Sequence, residues 1–152
     1  MGLGDTAGAV GRGLLAGAFG TAAMTVSSTV EAKLRERGSS SAPADAAGKV
    51  LGVQPRDEEG KARFSTIVHW SYGTSWGAMR GLLHAVGING RTAVAAHFAT
   101  VWGSAQVMLP SLDVAPPPWK SPPEEIVIDA LHHAVYAVAT GMAFAALERS
   151  SS

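Results

Sequence analysis

Three glycines spaced four residues apart, Gly73, Gly77 and Gly81, constrain this chain more than any other feature. On an α-helix, residues four apart lie on the same face, so the three glycines form one stripe. In water, each glycine inside a helix costs roughly 1 kcal/mol relative to alanine. In a bilayer, such a stripe lets a second helix approach closely, which is how small residues drive the association of transmembrane helices. The stripe therefore predicts a tightly packed helical membrane protein.

The composition agrees with a membrane bundle. Hydrophobic residues make up 47% of the 152 residues and charged residues 16%, whereas soluble domains have about 25% charged residues. The formal net charge is zero and there are no cysteines, which excludes disulfides and thiolate metal sites and offers no attraction for nucleic acid. We expect a single membrane domain, residues 1–152, with the lipid bilayer as its main partner. Other membrane subunits, or further copies of the chain, are additional candidate partners.

Stretches poor in charge predict four transmembrane helices. They are expected at about residues 12–30, 57–86, 91–109 and 122–147, with a polar connection over residues 31–56. The third helix has the longest uncharged stretch and is the clearest span, and Pro110 is expected to end it because proline lacks the amide donor. Each of the other helices also carries a stripe of small residues: Gly13, Gly17 and Thr21; Ala95, Ala99 and Gly103; and Ala137, Gly141 and Ala145.

Two segments of the chain resemble each other. His69-x-x-Tyr72 and the stripe that follows it recur as His133-x-x-Tyr136 and the stripe 137/141/145. A second pair of matches relates the first helix to the third. The sequence therefore predicts an all-α, four-helix transmembrane bundle of two helical hairpins with the same orientation, related by a pseudo-twofold axis along the membrane normal.

These motifs resemble those of a known family. The pattern His-x-x-Tyr-Gly-x-x-x-Gly from His69 to Gly77, the Pro-Pro-Trp at 117–119 and the second His-x-x-aromatic motif resemble the small uncharacterised bacterial inner-membrane proteins grouped with YagU, a domain-of-unknown-function family. The resemblance covers most of the chain. It implies a multi-pass protein of the bacterial inner membrane and assigns no activity to any residue.

Lysine and arginine residues predict the orientation. Eight of them lie in or beside the two long connections, between helices one and two and between helices three and four, against three on the opposite side. The positive-inside rule therefore places both long connections in the cytoplasm and both termini outside. Arg80 interrupts the second helix, and we expect it either at the far interface or inside the bundle.

Histidines in the apolar segments are the main candidates for chemistry. His69 and His133, related by the predicted repeat, could meet across its axis and ligate a haem iron. His97, Tyr72 and Tyr136 are further polar groups in these segments. The alternative is that each histidine lies near the headgroups and hydrogen-bonds a carbonyl or a tyrosine, since close glycine packing leaves little room for a haem.

A second candidate site lies on the fourth helix. Asp129 and His132 have the spacing of a carboxylate–histidine metal pair in a helical bundle. The alternative is a structural contact in which Asp129 accepts a hydrogen bond from His133, four residues further on.

The sequence contains no nucleophile elbow, phosphate loop, zinc spacing or dinucleotide fingerprint. It therefore predicts a non-enzymatic structural or accessory subunit of a membrane assembly that requires no cofactor. Two functional alternatives stay open. One is a small channel or transporter with a path near the repeat axis, and the other is a haem- or metal-binding membrane protein. A soluble glycine-rich bundle is a further structural alternative, because the mean hydropathy of +0.16 is modest and the second helix holds Arg80.

Overall fold

The computed structural model describes residues 2–38 and 40–150, and every regular element in those ranges is helical. The helices are α1 (Leu3–Leu34), α2 (Ala42–Leu51), α3 (Glu58–Ala85), α4 (Gly90–Ser111) and α5 (Pro123–Ser150), with one 3-10 turn at Pro118–Lys120. The prediction of an all-α fold is confirmed. Within the described ranges only α1 and α5 are long and apolar enough to cross a membrane, so a transmembrane role for all four long helices is not confirmed.

The third long helix, α4, differs from its prediction. It carries no charged residue after Arg91, but His97 and Gln106 lie within its apolar stretch. These two polar side chains lower the hydropathy of that stretch, so α4 is not among the helices apolar enough to cross a membrane, and the expectation that it is the clearest span is not confirmed. Pro110 does not end α4, which continues to Ser111, because a proline in the last turn removes only one helical hydrogen bond.

Acidic side chains mark the beginnings of α1 and α3. Asp57 Oδ1 accepts a hydrogen bond from Gly60 N at 2.7 Å, and Glu58 and Glu59 occupy the first turn of α3, where the helix dipole favours negative charge. Asp5 Oδ2 accepts from Gly2 N at 2.9 Å. This contact lets α1 begin at Leu3, well before the predicted start at about residue 12.

The turn between α3 and α4 depends on glycine. Gly87 and Gly90 have φ angles of 84° and 58°, a left-handed conformation that residues with a side chain rarely adopt. The chain therefore reverses within a few residues, and α4 runs antiparallel to α3.

The four long helices form a bundle. α1 packs against α3 and α5, and α4 packs against the same two helices, so α1 and α4 occupy opposite corners. We call the end with the α3–α4 turn the short-turn end, and the end with the connections after α1 and α4 the long-connection end. At the latter, Lys49 Nζ on α2 donates to the carbonyl oxygens of Leu112 and Asp113 at 2.5 and 3.1 Å, which joins the two connections.

Small and polar side chains fill the interior of the bundle. Its buried apolar residues are mostly alanines, and its largest fully buried side chains are Tyr136, Phe144, His97, Thr21 and Thr140. Large apolar side chains point outward instead, for example Leu15 (59% exposed), Phe19 (63%), Leu131 (57%) and Met142 (69%). This distribution is the reverse of that in a soluble domain, where large apolar side chains form the core.

Candidate functional site

The predicted glycine stripe lies at the contact between α1 and α3. A methyl group on Gly17 would lie 2.8 Å from Gly77 Cα, and one on Gly77 would lie 2.7 Å from Gly17 Cα. A methyl group on Gly81 would likewise lie 2.7 Å from Val10 Cα. Since these neighbours are main-chain atoms, they cannot move aside as a side chain would. The backbones of α1 and α3 are therefore in direct contact.

The remaining small residues have different surroundings. Gly73 faces Thr21, and a methyl group on Gly141 would lie 2.7 Å from Val94 Cγ2. Ala137 is fully buried, whereas Ala145 is partly exposed. The stripe predicted for α4 faces outward: Ala95 and Ala99 are exposed, and a methyl group on Gly103 would have no neighbour within 4 Å.

His69 and His133 take part in separate hydrogen bonds. His69 Nε2 and Thr25 Oγ1 are 2.8 Å apart, which links α3 to α1. His133 Nδ1 donates to the main-chain oxygen of Asp129 at 2.8 Å, within its own helix. This geometry corresponds to the hydrogen-bonding alternative, because His69 is tied to α1 and His133 is tied to its own helix. Among the described residues, no group of three or more histidines and carboxylates is placed to hold a metal ion.

Asp129 joins α5 to α4. Its Oδ2 accepts from Trp102 Nε1 at 2.9 Å and from Gln106 Nε2 at 3.0 Å, and its Oδ1 lies 3.4 Å from His133 Nδ1. His132 faces α1 instead, with Nδ1 2.8 Å from Ser27 Oγ. Asp129 and His132 therefore contact different neighbouring helices, α4 and α1 respectively. The structure shows the Asp129–His133 contact of the alternative interpretation.

Tyr136 and His97 occupy the centre of the bundle. Tyr136 Oη donates to the carbonyl oxygen of Gly73 at 2.6 Å, and His97 Nε2 donates to that of Trp76 at 3.0 Å. The two rings are 5.5 Å apart. Tyr72, the counterpart of Tyr136 in the predicted repeat, lies at the surface against Trp76. The sequence identified both tyrosines, but nothing in it distinguishes the buried one from the exposed one.

Arg80 lies inside the bundle and is 4% exposed. Its guanidinium carbon is 4.1 Å from the centroid of the Phe144 ring. Nε and Nη1 are both buried and have no hydrogen-bond partner in the described chain. Of the two positions expected from the sequence, the structure shows the interior one.

A cluster of charged side chains fastens α1 to α5 at the long-connection end. Glu31 Oε1 accepts from Arg35 Nη1 at 3.2 Å and from Arg37 Nε at 3.0 Å, and Arg35 Nη2 is 2.7 Å from Glu125 Oε1. The hydrogen bond to Glu125, followed by that to Glu31, raises the pKa of Arg35, and Glu31 raises the pKa of Arg37. This cluster was not among the predicted sites, although opposite charges beside helix ends on the same side of the bundle are a usable signal in the sequence.

The polar groups described above mostly act as links between helices. Thr25–His69 joins α1 to α3, Ser27–His132 joins α1 to α5, and the contacts of Asp129 join α5 to α4. His97 Nδ1 and His132 Nε2 are buried without a hydrogen-bond partner among the described residues, and Arg80 has two such nitrogens, Nε and Nη1. A scan against protein-family models and searches of curated proteins and of solved structures find no match to this chain.

Proposed function

We propose that this chain is a polytopic membrane protein in which α1, α3, α4 and α5 cross the bilayer as one bundle, and that it serves as a structural or accessory subunit without enzymatic activity. The observation that supports this proposal is the inverted distribution of side chains, small and polar inside and large and apolar outside. In water, the exposed apolar surface would favour aggregation, and an alanine-rich core would supply little hydrophobic stabilisation. In a bilayer, lipid covers the outer side chains, and the small interior residues allow close helix packing.

α1 and α5 support the proposal most directly. In the most apolar 18-residue stretch of each helix, only 28% of the residues are buried by the rest of the bundle. A helix of the same apolar character in a soluble protein would be buried over most of its surface. The outer face of α5 is almost entirely apolar between Leu131 and Met142. Lipid is the environment that matches such a face.

α3 and α4 are less apolar, but the bundle provides partners for their interior polar groups. His97 on α4 donates to a carbonyl oxygen of α3, and Trp102 and Gln106 donate to Asp129. A polar group inside a membrane is tolerated when it lies within protein and finds a partner there. These contacts are consistent with α3 and α4 crossing the bilayer between the more apolar helices.

The basic residues suggest the orientation. Arg35, Arg37 and Lys49 belong to the long-connection end, which the positive-inside rule assigns to the cytoplasm. The resemblance to the YagU-like family implies the bacterial inner membrane, one side of which faces the cytoplasm. We therefore propose that the long-connection end lies in the cytoplasm and that the chain is related to this family.

Cysteine labelling tests the proposed topology, because the natural chain has no cysteine to interfere. Single cysteines are introduced as Ser41→Cys at the long-connection end, Asn89→Cys at the short-turn end and Val138→Cys on the outer face of α5. In intact cells and in inverted membrane vesicles, an impermeant maleimide should label the first two positions from opposite sides and leave the third unlabelled. Rapid labelling of all three in a chain that alkaline carbonate extracts from membranes would refute the proposal.

A channel or transporter is the second candidate. Asp129, His132, Tyr136 and Thr140 form a polar stripe on the interior side of α5, which favours this candidate. Tyr136 and Phe144 fill the bundle along the same stripe, and this packing favours the subunit. Proton flux into liposomes containing the purified protein separates the two. Flux that disappears in His97→Gln would favour the transporter, whereas no flux above that of empty liposomes is expected for a subunit.

A further inference from the structure

Arg80 has hydrogen-bond donors that the described chain does not satisfy. The residue is 4% exposed, and Nε and Nη1 are both buried without an acceptor. The Phe144 ring lies 4.1 Å from the guanidinium carbon. A ring face attracts a cation, but it does not replace oxygen acceptors at the N–H groups. Leaving the donors of a buried cation unsatisfied is strongly unfavourable, so an acceptor from outside the described chain would stabilise Arg80.

The nearby acidic side chain does not fill this role. The negative charge of Glu148 acts on Arg80. Its Oε1 is directed to another partner, His84, whose Nε2 is 3.1 Å away. It supplies no acceptor to Arg80 Nε or Nη1. Its charge offsets part of the positive charge of Arg80 while leaving both donors unoccupied.

The short-turn end of the bundle carries an excess of positive charge. Among its described residues the arginines are Arg12, Arg80, Arg91 and Arg149, and the carboxylates are Asp5 and Glu148. Arg12 Nε is also buried and has no acceptor among the residues that the structure describes. The missing partner of Arg80 should therefore be negatively charged and rich in oxygen, because guanidinium groups match the acceptor geometry of phosphates and carboxylates.

The depth of Arg80 favours a phosphate. Arg80 lies five residues before the last residue of α3, Ala85, which is about 8 Å along the helix axis. If the short-turn end reaches the membrane surface, this depth brings the guanidinium close to the lipid headgroups. At that level a phosphodiester headgroup offers the oxygen acceptors that a guanidinium group matches in geometry.

We infer that Arg80 binds a phosphate-type oxyanion at the short-turn end, either the phosphodiester of a lipid headgroup or free inorganic phosphate. The inference rests on the proposed membrane location, since that location provides the lipid. Arg80 is then a ligand-binding residue and not only a packing element of the bundle.

Thermal unfolding of the detergent-purified full chain tests this inference. The probes are inorganic phosphate, short-chain phosphatidylglycerol, and chloride at matched ionic strength. Phosphate, phosphatidylglycerol or both should raise the melting temperature above the chloride value. In Arg80→Gln the affinity measured by calorimetry should fall roughly 30-fold or more, whereas Arg149→Gln, which removes an exposed arginine at the same end, should bind like the natural protein.

The pattern of responses identifies the source of the oxyanion. A response to phosphatidylglycerol alone indicates a lipid headgroup, and a response to phosphate alone indicates the free ion. No response to either probe, or an equal response to chloride that persists in Arg80→Gln, would overturn the inference. Should Arg80→Gln fail to fold, Arg80→Lys keeps the charge but not the planar donor fork, and binding weakened in that variant supports the same conclusion.

The two proposals fail in distinguishable ways. A chain that needs detergent and labels as a membrane protein, yet shows no specific response to phosphate or phosphatidylglycerol, would overturn the oxyanion site alone. A chain that is monodisperse without detergent would overturn the membrane location, and the phosphate titration would still test Arg80.

Discussion

The two helical hairpins of this protein carry similar sequence patterns but pack in different ways. In the α1–α3 hairpin the two small-residue stripes face each other, and Gly17 and Gly77 bring main-chain atoms into contact. In the α4–α5 hairpin Gly141 faces the side chain of Val94, while Gly103 has no neighbour within 4 Å of where a side chain would begin. A stripe of small residues therefore permits close contact, but a second stripe in register and facing it is needed to produce one.

The hydrogen bonds between helices also differ between the two hairpins. Between α1 and α3 the link is the short Thr25–His69 contact. Between α4 and α5 the longer side chains of Trp102 and Gln106 reach Asp129. Where a side chain such as Val94 separates the backbones, long polar side chains have room to bridge the gap. The predicted repeat symmetry stays a prediction, because similar patterns here accompany different packing.

The largest expected effect is that of Gly77→Ala. The new methyl group would meet main-chain atoms of Gly13 and Gly17, so we expect the free energy of unfolding to fall by about 3 kcal/mol. Gly103→Ala is the matched control in the other hairpin; its methyl group meets nothing, and the higher helix propensity should leave stability unchanged or raise it by up to about 1 kcal/mol. Reversible unfolding in detergent, followed by circular dichroism, measures both changes. Equal losses in the two variants would contradict the contrast between the hairpins.

Gly141→Ala should have an intermediate effect of about 1.5 kcal/mol, because its methyl group meets the movable Cγ2 of Val94 and not a main-chain atom. Combining it with Val94→Ala should recover part of the loss. A double-mutant cycle in the same unfolding assay gives the coupling between the two positions. Strictly additive changes would show that Val94 does not set the helix separation at this point.

Removal of one polar link should cost less. Trp102→Phe deletes the indole donor to Asp129, and we expect a loss of about 1 kcal/mol. Thr25→Val, which deletes the hydroxyl facing His69 while keeping the shape of the side chain, should cost a similar amount. The loss in Trp102→Phe should be comparable to that in Gly141→Ala, which lies in the same hairpin. The loss in Thr25→Val should be far smaller than that in Gly77→Ala. A loss in Thr25→Val that matches Gly77→Ala would reverse this order.

The smallest effect is expected at the charged cluster that joins both hairpins at the long-connection end. Glu31→Gln removes the carboxylate that Arg37 and Arg35 share, and the resulting small fall in melting temperature should shrink as salt is added. Glu31 raises the pKa of Arg37 above its ordinary value. The stability that this ion pair contributes is therefore fully present at any pH below the ordinary pKa of arginine, and it is lost only when the pH rises through the higher pKa of the folded state. The difference between Glu31→Gln and the natural chain should therefore be the same at about pH 7 and about pH 10. A difference that vanishes between those two values would exclude Arg37 as the partner.

Much of the secondary structure was predictable because its signals are local. The acidic start of α3 at Asp57, the glycine turn before α4 and the proline-rich approach to α5 each act over a few residues of chain. The candidate site was only partly predictable. The sequence identified His69 and Asp129 as polar groups in apolar helices, but their hydrogen-bond partners come from distant parts of the chain. Which partner a side chain meets depends on the rotation of each helix about its axis, and stripes of small residues that recur in all four long helices do not determine that rotation.

The sequence by itself therefore determined the helical class, the positions of the main turns and the small residues that make close packing possible, since these depend on backbone preferences and on the helical period. Only the tertiary structure decided that the α1 and α3 stripes face each other while the α4 stripe faces outward, and that Arg80 lies inside the bundle with two donors that no described residue satisfies. The physical reason is that a stripe or a charge is a property of one helix, whereas contact and burial depend on how the helices are placed relative to one another.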